Sequence, residues 1–304
     1  MYAYKRLLVA LDLTAMDDTL VRYTAFLAKN INADAIYFLH VSPSLELPDD
    51  IGAEYRDVIA PVDETLEHSI KDMLDRYFDY DCTIEVEAQE GNPGENILKW
   101  IKVKNIDLVI VGRKQEMKGT GALGSRLSRI APCSILFVPE NFEAKLEDIT
   151  VSSDYSKHSA IALEEAYDLA KSSSAKLHLV HVTHVPPGYH KTGKSYEEFG
   201  KIMVENARKD ADKFLKKYLP DYQDKVNVLI KLDDDKSPAD KLYDASKELN
   251  ADLMIVGSKG RTALASLLLG SVADKLAGYT RTLPLLVVKD KKENLSFFEA
   301  LLKL

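Results

Sequence analysis

Residues 252–271 read Asp-Leu-Met-Ile-Val-Gly-Ser-Lys-Gly-Arg-Thr-Ala-Leu-Ala-Ser-Leu-Leu-Leu-Gly-Ser, a short apolar run that ends in one glycine and meets two more. The run from Leu253 to Val256, closed by Gly257, has the pattern of a strand covered on both faces. Gly257, Gly260 and Gly270 let the backbone turn tightly and let a ligand come close to the amides. Ser271 opens a helical stretch through Leu276, with Asp274 three residues on. That helix start offers unpaired N–H groups and the positive end of a dipole. Strand, glycine loop and helix start in this order predict a site for the phosphates of a nucleotide.

The same pattern occurs twice. Asp107 to Gly112 (Asp-Leu-Val-Ile-Val-Gly) matches Asp252 to Gly257, and Asn92-Pro93-Gly94-Glu95 matches Ser237-Pro238-Ala239-Asp240, both 145 residues apart. Tyr4 to Asp12 is echoed by Leu146 to Asp154 at 142 residues, and Phe38-Leu39-His40-Val41 by Leu179-Val180-His181-Val182 at 141. A period this long is a duplicated domain, since solenoid units run roughly 20–50 residues. The boundary falls near 140–147, which gives a first domain over 1–142, a second over 143–290 and a tail over 291–304. Leu295, Phe298, Leu301 and Leu302 in the tail read as a short docked helix.

Within each copy apolar strands alternate with helical stretches. Ala160, Leu163, Ala166, Tyr167 and Ala170 share one helical face. Phe199 to Tyr218 forms a longer amphipathic helix, opened by Ser195 and Glu198 at capping-box spacing. Asn92-Pro93 and Ser237-Pro238 open a third helix in each copy. A last strand follows each glycine region, at Ser134–Val138 and Pro284–Val288. This alternation predicts an α/β fold with parallel sheets covered by helices on both faces.

The chain has 304 residues, of which 46% are hydrophobic, enough for two domains with cores of their own. A net charge of −8 argues against non-specific nucleic-acid binding and against anionic membrane surfaces. No run of about 18 apolar residues is present, and the N-terminus leads directly into a strand, so a soluble cytoplasmic protein is expected. Cys82 and Cys133 both flank apolar runs and read as buried packing residues. The histidines form no metal spacing, so no metal site is expected.

A duplicated α/β unit of about 145 residues that closes on Gly-x2-Gly-x9-Gly-Ser resembles the tandem form of the universal stress protein family. The resemblance implies two doubly wound domains, each with a five-stranded parallel sheet in the order 3-2-1-4-5, paired with each other as the family's dimers are. A further homodimer is left open. It also implies ATP as ligand, with Mg2+ left open. Asp154 and Val182 would lie on the base and ribose side, and Gly257, Gly260, Gly270, Ser271 and Val272 on the phosphate side. Open parallel sheets independently favour that edge, at the carboxyl ends of the strands. The competing role for Asp154 is a helix N-cap.

The first copy departs from this pattern. Asp12, Val41, Gly112, Gly124 and Ser125 persist, but Gln115 stands where the second glycine belongs and Gly124 comes one residue early. The first site is therefore expected to be degenerate and empty of nucleotide. A second motif, Gly188-Tyr-His-Lys-Thr-Gly-Lys-Ser195, matches the P-loop pattern. It is separated from the strand ending at Val182 by residues 183–187, which Pro186-Pro187 should hold extended. Lys191 and Lys194 are better read as accessory charges near the phosphates. No catalytic set can be assigned from spacing. The expected function is ATP binding in stress response or regulation, the alternatives being a nucleotide-independent scaffold and a weak ATPase.

Overall fold

The structure, a computed structural model, describes residues 4–44, 62–114, 121–140, 142–233, 237–260, 269–279, 282–291 and 293–294. In the first half, strands β1 (Arg6–Leu11), β2 (Ala35–Ser42), β3 (Thr83–Glu90), β4 (Leu108–Arg113) and β5 (Ser134–Pro139) alternate with helices. These are α1 (Met16–Ile31), α2 (Val62–Leu74), α3 (Pro93–Val103) and α4 (Gly121–Ile130). The second half repeats the plan. Its strands are β6 (Asp148–Ser152), β7 (Lys176–His184), β8 (Val226–Asp233), β9 (Leu253–Gly257) and β10 (Leu285–Val288). Its helices are α5 (Lys157–Ser173), α6 (Tyr196–Tyr218), α7 (Pro238–Glu248) and α8 (Ser271–Tyr279).

Each half has the parallel order 3-2-1-4-5, and the halves join edge to edge in one ten-stranded sheet, β3-β2-β1-β4-β5-β10-β9-β6-β7-β8. The junction is antiparallel and apolar: Leu285 faces Phe137, Leu286 faces Leu136 and Val287 faces Ile135. Two buried clusters, one on each face of the sheet, run through both halves. Within each half, an aspartate fastens β4 or β9 to its neighbour. Asp107 accepts from the amides of Lys5 and Arg6, and Asp252 from those of Glu147 and Asp148. These matched contacts explain why Asp107 and Asp252 recur at the repeat distance. They are structural.

The helix starts follow their sequence signals. Asn92 accepts from the Glu95 amide, Ser237 from the Asp240 amide, and Ser195 and Glu198 form a full capping box. Three readings need correction. β7 runs to His184 rather than stopping at Val182, because its pairing with β8 continues through Thr183–Leu232 and His184–Asp233. After Pro186 the chain coils into a 3₁₀ helix over Pro187–Thr192 instead of staying extended. Cys133 is buried as expected, whereas Cys82 is partly exposed. Leu295, Phe298, Leu301 and Leu302, read as a docked helix, lie outside the described residues, as do Gln115 and residues 261–268.

Candidate functional site

The second-half site is assembled at the carboxyl ends of β6 and β9. β6 ends at Ser152, and Tyr155 then adopts a left-handed φ of 62°, turning the chain into α5. A non-glycine residue in that region is uncommon and must be held by its surroundings. Ser153 Oγ accepts from the Tyr155 amide, the Tyr155 hydroxyl donates to Ala207 O, and the Tyr155 ring stacks on His181 at 4.3 Å. His181 Nδ1 in turn lies 2.7 Å from Ser153 O. Asp154 is not the helix cap. Ser156 caps α5 by accepting from the Ser159 amide, while Asp154 Oδ1 accepts from the Ser156 amide in a tight side-chain turn. The carboxylate is thereby fixed at the strand end.

The glycines converge on it. A Cβ added at Gly260 would sit 2.9 Å from Asp154 Oδ2, and one at Gly257 would sit 3.0 Å from the backbone oxygen of His158. A Cβ at Gly270 would lie 3.4 Å from Ser258 O and 3.6 Å from the Gly260 amide nitrogen. The amide of Gly270 donates to Ser258 O, and Gly270 O accepts from Asp274 in the first turn of α8. Asp154, Gly257, Gly260 and Gly270 therefore surround one small region, with Ser271 and Val272 opening the helix beside it. Val182 lies on β7 opposite Lys231, half-buried against the core. Lys191 and Lys194 are exposed, and their loop is anchored outward. Tyr189 packs on Tyr196 and Phe199, and the Tyr196 hydroxyl donates to Asp233 O. Among the described residues, no hydrogen bond or ion pair joins that loop to Asp154 or the glycines.

Lys259, which sequence reading passed over, is buried between Gly257 and Gly260, and its ammonium pairs with Glu293 at 2.8 Å. Glu293 also meets His158 Nε2 at 3.2 Å. The Lys259 hydrogen bond, aided by His158, holds the Glu293 carboxyl below its usual range. The segment after β10 thus clips the glycine region.

The first-half site keeps the frame with other chemistry. Leu13 has a φ of 58°, matching Tyr155, and His40 Nδ1 lies 3.1 Å from Leu11 O, matching His181. The paired histidines explain the repeated Phe-Leu-His-Val and Leu-Val-His-Val stretches, because each fixes the carbonyl of a strand-one end. Here a carboxylate holds the turn, as Asp17 accepts from the amides of Asp12 and Leu13. Burial pushes the Asp17 carboxyl up to about 6. Lys114, the counterpart of Lys259, pairs with Asp12 Oδ2 at 2.7 Å, and Thr14 donates to Asp12 Oδ1. Burial would raise the Asp12 carboxyl, but the bonds from Lys114 and Thr14 hold it below its usual value. A cavity of about 350 Å3 opens here, reaching from Asp12 and Val41 to Gly112, Lys114 and Gly124. Ser125, on the next residue of α4, is half-buried.

Among the described residues, no group of three His, Cys, Asp or Glu side chains could hold a metal ion, and no helix is long and apolar enough to cross a membrane. Fold and site together define a doubly wound α/β protein whose strand-end carboxylate and glycines gather at the carboxyl edge of the sheet. A sequence profile of the universal stress protein family matches residues 3–139 and 146–289, so the chain belongs to that family, in tandem form. It is 24% identical to a universal stress protein of Mycolicibacterium smegmatis over 94% of this chain and 97% of that one. It is 29% identical to a universal stress protein of Methanocaldococcus jannaschii, over 50% of this chain and 88% of the relative. A solved Pseudomonas aeruginosa protein of unknown function has the same fold, with a TM-score of 0.68, 16% identity and coverage of 99% and 98%.

Proposed function

We propose that this chain binds ATP in its second domain and acts as a cytoplasmic stress-response or regulatory protein. The observation that carries the reading is the 2.9 Å approach of the Gly260 Cβ position to the Asp154 carboxylate, with Gly270 packed behind it. A side chain at Gly260 would collide with the Asp154 carboxylate, so glycine is what keeps the loop backbone and its amides against the strand-end carboxylate. Asp154 and Val182 would hold the adenosine portion. Gly257, Gly260 and Gly270, with the first amides of α8 at Ser271 and Val272, would hold the phosphates, with or without Mg2+. Lys191 and Lys194 add positive charge on the same sheet edge. A single exposed lysine contributes about 1 kcal/mol or less, so Lys194→Ala should lower ATP affinity by about tenfold or less.

The test is calorimetric titration of the full chain with ATP. Asp154→Ala should weaken binding by about tenfold or more, the range of a lost hydrogen bond to a charged group. Identification of copurified nucleotide supplies the ligand independently. A chain that carries no nucleotide and gives no heat with ATP would instead support the nucleotide-independent scaffold. Weak ATP hydrolysis is a separate measurement, and no side chain in the described site is positioned in a way that assigns it.

A further inference from the structure

The first-half cavity differs from the second-half site in polarity at matched positions. Ala10, Leu11 and Met16 occupy the places held by Ser152, Ser153 and His158 in the other copy, each 142 residues on. Every one of these changes replaces a polar side chain with an apolar one. Leu39, Ile97 and Val111 extend the apolar wall at 1%, 1% and 5% exposed, with His40 and Ser42 as the polar members of the β2 side. Met16 folds over the strand end, so close that a Cβ added at Gly112 would lie 2.6 Å from its Cγ.

Charge at the cavity is already compensated. Asp12 and Lys114 pair with each other at the mouth. The Arg113 guanidinium is turned toward the domain junction, where Nη2 donates to Ala277 O and the group lies 4.4 Å from the Phe137 ring centre. An anion entering here would have to break the Asp12–Lys114 pair and meet the Asp12 carboxylate, whereas an apolar molecule gains from the burial of its surface. The volume of about 350 Å3 lies near the lower end of the ~300–1,000 Å3 span of small-molecule pockets.

We infer that the first-domain cavity binds an uncharged, largely apolar small molecule, a ligand of a different chemical class from the nucleotide proposed for the second domain. The site does not depend on the second-domain reading and stands or falls separately from it.

Two naphthylamine probes test this on the full chain. N-phenyl-1-naphthylamine is neutral, and 8-anilinonaphthalene-1-sulfonate is nearly the same molecule with an added negative charge. The neutral probe should bind saturably at one site per chain, and the anionic probe about tenfold or more weaker. Ala10→Phe should fill the cavity and weaken the neutral probe by about tenfold or more. Leu123→Trp, at the rim on α4, gives a second reading should Ala10→Phe fail to fold by circular dichroism. Saturating ATP should leave the neutral probe bound. Displacement of the probe by ATP would make the cavity a nucleotide site and overturn the inference. Equal affinity for both probes, the absence of saturable binding, or indifference to the filling substitutions would overturn it as well.

Discussion

Glu165, 3% exposed in the middle of α5, shows how strongly a single residue can answer to its surroundings. Burial, reinforced by the neighbouring Asp168 carboxylate, lifts its carboxyl to about 9 from an ordinary 4.5. The folded chain therefore holds a proton that the unfolded chain releases between these values, and stability falls as pH rises through that window. Glu165→Gln should remove that dependence, which amounts to about 1.4 kcal/mol per pH unit for one proton. Thermal melts of both proteins from pH 4 to 9 should converge at the acidic end, near the ordinary carboxyl value, and separate steadily toward the basic end, the variant being the more stable. Parallel curves would show that Glu165 keeps an ordinary carboxyl. At this scale the strand-end Asp154 and the glycines were legible from type and spacing. Lys114, Lys259 and Glu293 were not, because the partner a lysine takes depends on where distant segments come to rest. Only the recurrence of a lysine two residues after Gly112 and Gly257 hinted at them.

The segment that follows β10 acts as a clip. Lys291 reaches Asn105 O and Asp107, while Glu293 holds Lys259 and His158. Glu293→Ala would leave the buried Lys259 ammonium without that partner. The expected cost is about 1–3 kcal/mol, moderated by the partial exposure of Glu293, and ATP affinity should fall because the glycine region loses an anchor. Differential scanning calorimetry and titration on the variant read both effects, and an unchanged melting temperature with unchanged affinity would contradict the clip. Helix starts were legible at this scale because caps are local: Ser195 with Glu198, Ser237 with Pro238 and Asn92 with Pro93 each act within one turn. The extra residues of β7 and the 3₁₀ helix at Pro187–Thr192 were not, since sheet pairing with β8 and packing of Tyr189 on Phe199 decide them. The first-domain cavity was equally hidden. Its walls read as ordinary core residues until six elements place them around one space.

The two halves form one body through β5 and β10, whose facing residues are buried in a sheet continuous across the repeat. Buried polar contacts add to it: Lys289 donates to Ala131 O, and Arg113 to Ala277 O. Leu286, 2% exposed and opposite Leu136, lies at the centre of that junction. Leu286→Lys would bury a charge there at a cost of several kcal/mol, on the order of 3 or more. Calorimetry should show one unfolding transition for the natural chain and two for the variant. A single transition at the original temperature would mean the halves are coupled elsewhere. The duplication was legible because repeats announce themselves at fixed offsets, and the strand order was implied by the family resemblance, whereas the antiparallel junction depends on which edges meet. On the proposed function, the halves share a frame but only the second takes ATP. Native mass spectrometry of the full chain with excess ATP, alongside Gly260→Val, counts the bound nucleotide. We predict one ATP per natural chain and none on the variant; two ATP per chain, or one retained on Gly260→Val, would contradict it.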